Sequence, residues 1–267
     1  MFFVKGFALL AVFAVIFNTA CNANPPAGDS DFNSYWYSGK AEITRYELNQ
    51  ARYGEMRKGD AVLIFVTEDF RGDQQVKYEG GDRDNVVSVL KLNATKKFYT
   101  GIYPYSIMTS VFTPVNTDEM TTLKVSTSSQ EWCGHTFMQL NNRNDKIHVL
   151  SRSYFQDEGD EESRLDKALL EDEIWTLIRL KPGSLPKGNV EMIPGTVFAR
   201  LRHVHLKVED AKAELSDHRD ASLSGEPLQR YTITYPGLNR TLAITFEKAF
   251  PHQILAWEET LKSGFGP

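Results

Sequence analysis

The chain predicts a mainly β fold: a single domain at 34–267, an antiparallel meander closed into a barrel or a curved half-barrel, with one or two short helices. Three observations predict it. Segments of strand length, rich in Val, Ile, Thr and aromatic residues, recur along the chain and are separated by turn residues. Their connections are short, which favours antiparallel neighbours, and closure of such a sheet removes its edges. No Pro/Gly/Ser-rich linker and no fixed-period repeat divides the chain after residue 33, and 267 residues suffice to bury one large core without crosslinks.

Taken in order, "KAEITRYELNQARY" and "DAVLIFVTEDF" read as strands joined through "GEMRKG", and "NVVSVLKLNATKKF" follows the turn-like "EGGDRD". "YPYSIMTSVFTPV", "TTLKVSTSS", "EWCGHTFMQLN" and "KIHVLSRSYF" continue the pattern. A helix is predicted next. Ser163 and Asp166 have capping-box spacing, and Leu165, Leu169, Ile174, Leu177 and Ile178 lie near one helical face. The acidic run "DEGDEE" at 157–162 would then sit at the positive end of the helix dipole, as a solvated loop without the ligand spacing of a calcium loop. "EIWTLIRLKP" fits helix or strand, and periodicity leaves both open. "GTVFARLRHVHLKVE", "QRYTITYP" and "RTLAITFEK" read as strands, the last two joined by the turn at 236–239.

The N-terminal "MFFVKGFALLAVFAVIFNTAC" has one early charge, Lys5, and an apolar run too short to span a bilayer comfortably. It reads as a secretory signal peptide at 1–20. Asn18-Thr19-Ala20-Cys21 matches a bacterial lipobox except at Asn18, where leucine is usual, so Cys21 is the expected lipidation site. Ordinary cleavage after Ala23 is the competing reading. Residues 21–33 then form the lipidated cysteine and a polar, flexible tether. A processed lipoprotein carries several acyl chains, enough for a stable membrane anchor. Asn22 is not the aspartate that retains some lipoproteins in the inner membrane, which points to the outer membrane. With Cys21 lipidated, Cys133 has no disulfide partner.

"YWYSGKAEI", "KLNATKKF", "GIYPYSIMTSVFTPV", "SSQEWCGHTFMQLN" and "LEDEIWTLIRLKPGSLP" resemble a family of uncharacterised lipoproteins from Gram-negative bacteria, often labelled "septum formation inhibitor Maf". The resemblance runs over nearly the whole mature chain. It implies an envelope location. It transfers no catalytic residue, because Maf proteins proper are cytoplasmic α/β nucleotide pyrophosphatases with a Ser-x-Ser-x-Arg-Arg segment that this chain lacks.

Candidate sites come from reactive residues at strand spacing. If "EWCGHTF" is a strand, Glu131, Cys133, His135 and Phe137 share one face. An imidazole beside a thiol, oriented by a carboxylate, is a nucleophile arrangement. "RHVHLK" offers His203 and His205 on one face, and Cys133, His135, His203 and His205 would suit tetrahedral zinc if the strands were neighbours. The bland readings are ordinary packing of Cys133 in the sheet, a bulge or close approach at Gly134, and a half-wet strand face for the histidines. Tyr99, Tyr103 and Tyr105 fall on one face of an extended segment, opposite Phe98, Ile102, Met108 and Phe112, and suit an amphipathic or glycan ligand or an ordinary β core.

The net charge of −5 offers no electrostatic footprint for nucleic acid. No cofactor is implied by any motif. The expected partners are the membrane, through Cys21, and a lipid, glycan or envelope protein. The function these readings favour is a noncatalytic envelope lipoprotein that binds an apolar or amphipathic ligand or an envelope partner; a periplasmic Cys/His hydrolase or zinc enzyme is the alternative.

Overall fold

The computed structural model describes residues 30–116 and 121–262, so the leader, Cys21 and most of the tether lie outside the described residues. Residues 30–33, expected as tether, belong to helix α1 (Ser30–Trp36). Nine strands follow: β1 (Glu42–Arg52), β2 (Glu55–Arg71), β3 (Val76–Lys77), β4 (Val86–Thr100), β5 (Tyr103–Pro114), β6 (Lys124–Glu131), β7 (Gly134–Arg143), β8 (Lys146–Ser153) and β9 (Asp160–Asp166). They form one antiparallel meander in the order β1-β2-β4-β5-β6-β7-β8-β9, with β3 paired on β2. A second, six-stranded sheet contains β10 (Leu169–Leu170), β11 (Gly188–Ile193), β12 (Glu209–His218), β13 (Leu228–Tyr235), β14 (Arg240–Glu247) and β15 (Ile254–Thr260). It is antiparallel except for the short β10–β11 pair. Helices α2 (Glu171–Leu180) and α3 (Thr196–Arg202) complete a mainly β, half-barrel architecture.

Alternation sets the inward faces. Tyr46, Leu48, Ala61, Leu63, Phe65, Leu90 and Leu92 are buried in the first sheet, while alternate residues such as Arg45 and Glu47 on β1 face solvent. Turn chemistry holds the register. Tyr53 and Gly54 both have positive φ, as do Asn144 and Asp145, the two-residue hairpin geometry that matches strand twist. One core cluster joins both sheets and α2. Tyr46 links them directly: its hydroxyl donates to the Ile254 carbonyl at 2.6 Å, and its ring meets Trp257 edge-on.

Two element predictions are corrected. The helix expected from Ser163 begins only at Glu171. Residues 160–166 pair with β8 as a strand, their exposure alternating with period two. "EIWTLIRL" is helical: Ile174, Leu177 and Ile178 are buried at i, i+3, i+4, three acidic residues occupy the first turn and Arg179 the last. "GTVFARLRHVHLKVE" is no single strand either. α3 covers its first half and ends at His203, at φ 56°, and β12 starts only at Glu209. β-branched and aromatic residues suggested a strand there, but burial of Phe198, Ala199 and Leu201 against the first sheet favours a helix.

Candidate functional site

The predicted shared face of Glu131, Cys133, His135 and Phe137 does not exist, because Trp132 and Cys133 form the two-residue turn between β6 and β7. Glu131 ends β6 and is buried, whereas Cys133 and His135 are exposed. The Cys133 thiol therefore does not pack in the sheet, and no imidazole is hydrogen-bonded to it among the described residues. Gly134 makes the close approach that its residue type suggested: a Cβ there would lie 2.4 Å from the Tyr154 ring.

Glu131 and His203 meet through an arginine that sequence reasoning did not single out. Arg200, buried on α3, donates to the Glu131 carboxylate, and Tyr103 donates to the same carboxylate at 3.1 Å. The Cys133 backbone N–H donates to the Tyr103 oxygen at 2.5 Å. On its other side Arg200 donates to His203 Nε2 at 3.2 Å, while His203 Nδ1 faces Glu158 at 2.5 Å. His205 lies apart, exposed, on Glu161 at 2.7 Å. Among the described residues no cluster of three or more His, Cys, Asp or Glu side chains suits a metal ion.

The tyrosines divide likewise. Tyr103 and Tyr105 share the inner face with ring centroids 5.2 Å apart, and Tyr105 stacks on Phe98 at 4.6 Å. Tyr99 points to solvent, 59% exposed, as does Ile102 in the β4–β5 turn. The strand reading failed here because Gly101, at φ 65°, turns the chain between Tyr99 and Tyr103. Burial and the Tyr53 hydroxyl push Tyr105 up to about 12, and burial beside Arg52 brings Arg200 down to about 10. This group ties α3 to β6 and to the β8–β9 connection. Arg200 stands between the Glu131 and Glu158 carboxylates, and Arg52 beside it donates to the Leu201 carbonyl.

A different site lies deeper. Between the two sheets and α2 and α3 is a cavity of about 80 Å³. Leu63, Leu92, Val111, Trp175, Phe198 and Trp257 supply its apolar wall. Its charged wall is Lys96, Arg240, Glu171, Asp172 and Glu259, with Arg52 and Arg202, which donate to the carbonyls of Leu201 and Lys262. Arg240, 3% exposed, donates through both terminal nitrogens to Glu171 and through Nε to Glu259 at 2.6 Å. Asp172 Oδ2 accepts from Thr196 N–H at 3.0 Å and Thr196 Oγ1 at 2.9 Å. Burial raises its carboxyl to about 6.

Lys96 completes the wall. It continues the inward row Leu90, Leu92, Ala94 toward Phe98 on β4, a core position for any other residue type. Desolvation, then Arg240, lowers its pKa, against the pull of Glu259, Glu171 and Asp172. Sequence reasoning missed it, although a lysine inside an alternating apolar row was the visible signal. Such a wall can hold the polar end of a small molecule whose apolar end rests on the tryptophans and leucines.

No family model matches the chain, and no curated protein matches it. Among solved structures it is similar to a β-barrel-like protein of a domain of unknown function, DUF1849, from Brucella abortus, at 9% identity and a TM-score of 0.44 over 84% of this chain and 95% of that one.

Proposed function

We propose that this is a noncatalytic envelope lipoprotein, held by lipid on Cys21 at the outer membrane, whose cavity between the sheets binds a small amphipathic ligand. The observation that carries the binding reading is the cavity wall: apolar over most of its extent, with one lysine that has no ion pair among the described residues. Lys96 is half-buried, and withdrawing an amine from bulk water without a counter-charge is costly unless something offsets it. A ligand that occupies the cavity is the offset, and the apolar wall supplies the driving force. The leader and its lipobox support the location; incorporation of an alkyne-tagged fatty acid, lost in Cys21→Ser, tests it.

The cavity reading is tested by intrinsic fluorescence. Trp175 and Trp257 stand edge-to-face at 5.4 Å in the wall, so an entering molecule changes their emission. Titration with 1-hexanol is expected to give a saturable change in the parent and none in Ala94→Phe, whose ring would fill the cavity. An unsaturable change, or one that survives Ala94→Phe, would count against it.

A further inference from the structure

The charges on the cavity wall do not all have partners inside the protein. Arg240 engages Glu171 and Glu259. Arg52 and Arg202 donate to the carbonyls of Leu201 and Lys262, and on the wall Lys96 and Asp172, of opposite sign, have no ion pair among the described residues. Asp172 is held only by the uncharged Thr196, on Oδ2. Gly195 keeps the carboxylates uncovered: a Cβ there would lie 2.5 Å from Glu171 Oε1 and 3.5 Å from Asp172 Oδ1. Two further wall residues hold buried polar atoms without a partner, the acceptor Gln50 Oε1 and the donor Trp257 Nε1. Buried polar groups are paired as a rule, so unpaired ones at a cavity mark what a guest would supply.

Size narrows the guest. At roughly 10–15 Å³ per water-sized position, the cavity takes on the order of five to eight such groups. A long acyl chain exceeds that. Charge narrows it again. The two wall groups without an ion pair are of opposite sign, so a monoanion on Lys96 would leave Asp172 unmatched and a monocation on Asp172 would leave Lys96 unmatched. A molecule carrying both charges leaves the balance of the wall unchanged.

We infer that the ligand is a small zwitterion with a short apolar body, of the size of an apolar α-amino acid, its anionic group on Lys96 and its cationic group on Asp172. The inference rests on the reading of this cavity as a ligand site. The apolar body then lies against Trp175, Trp257 and Leu92. Trp257 Nε1 and Gln50 Oε1 gain a carboxylate acceptor and an ammonium donor.

Isothermal titration of the folded protein with four compounds of similar chain length separates the possibilities: L-norleucine, hexanoate, hexylamine and 1-hexanol. Norleucine is expected to bind at least about tenfold more tightly than each of the others, as a pair of charge-assisted hydrogen bonds implies. Lys96→Met and Asp172→Asn are each expected to weaken norleucine by about tenfold or more and to leave 1-hexanol within about twofold. Retained 1-hexanol binding shows that a variant is folded with its cavity intact. If hexanoate, hexylamine or 1-hexanol binds as tightly as norleucine, the zwitterion is overturned while the ligand cavity stands. If none of the four binds, both fall.

Discussion

Replacing Arg240 by Met is the perturbation whose size follows most directly from the structure. Arg240 is 3% exposed and serves two carboxylates that are themselves buried, Glu171 at 4% and Glu259 at 9%. Its guanidinium also lies 4.3 Å from the Phe198 ring centroid. Methionine keeps much of the side-chain volume but removes the charge, leaving two buried carboxylates without their cation. Orphaning one partner of a buried ion pair costs about 3–5 kcal/mol. In a chain of this size that lowers Tm by roughly 6–20 °C. The cost depends on the carboxylates being ionised, and Arg240 is what holds Glu259 down against its burial, so without Arg240 that carboxyl rises above its value in the unfolded chain. The folded variant then binds protons more readily than the unfolded one, and its stability recovers as pH falls. Urea unfolding of parent and variant at about pH 7.5 and about pH 5 is the assay, with the deficit expected to narrow at the lower pH. Changing Glu171, Arg240 and Glu259 together to Met should recover much of the loss, because apolar side chains need no counter-charge. A deficit below about 1 kcal/mol, or one equal at both pH values, would refute the reasoning.

Other tests address the frame around the site. Burial holds Glu173 up at about 7, against backbone N–H groups of Leu170 and Thr122 that donate to it at 2.9 Å each. Its folded pKa exceeds its unfolded value near 4.5, so its contribution favours the fold at low pH and is lost as pH rises through about 7. Glu173→Gln should therefore gain stability relative to the parent across that window; parallel pH profiles of the urea midpoint would contradict this. Gly59→Ala puts a Cβ 2.1 Å from the Lys97 carbonyl oxygen, and Gly134→Ala puts one 2.4 Å from Cγ and 2.5 Å from Cβ of Tyr154. Each should cost about 1–3 kcal/mol by denaturant titration, and a neutral Gly134→Ala would show that the chain carrying Tyr154 yields. Cys133, exposed in its turn, should react fully with a maleimide in the folded protein, and a thiol that reacts only after unfolding would place it elsewhere.

Strand alternation was legible because one face of each long strand is buried and the other wet. It located β1, β2, β4 and β5 and, read one step further, would have put Lys96 inside with Leu90, Leu92 and Ala94. Arg240 gives the same signal ahead of Leu242, Ile244 and Phe246 on β14. The opening of a turn inside an apolar run was not legible. Trp132-Cys133 carries no Gly, Pro or Asn, so a hairpin tip looked like a strand interior and four side chains were assigned a face they do not share. Glu171, Asp172 and Thr196 could not be assembled from spacing, because their meeting depends on two helices lying between the sheets. α3 itself is held by tertiary burial that outweighs the strand preference of Thr196, Val197 and Phe198.

Native mass spectrometry of the protein exported to a periplasm and purified gently, beside the Ala94→Phe variant, tests the ligand cavity most directly. The expected result is a small adduct, of the mass of a molecule with about eight non-hydrogen atoms, present on the parent and absent from Ala94→Phe. An adduct of equal occupancy on both proteins would place the ligand outside the cavity and contradict the account.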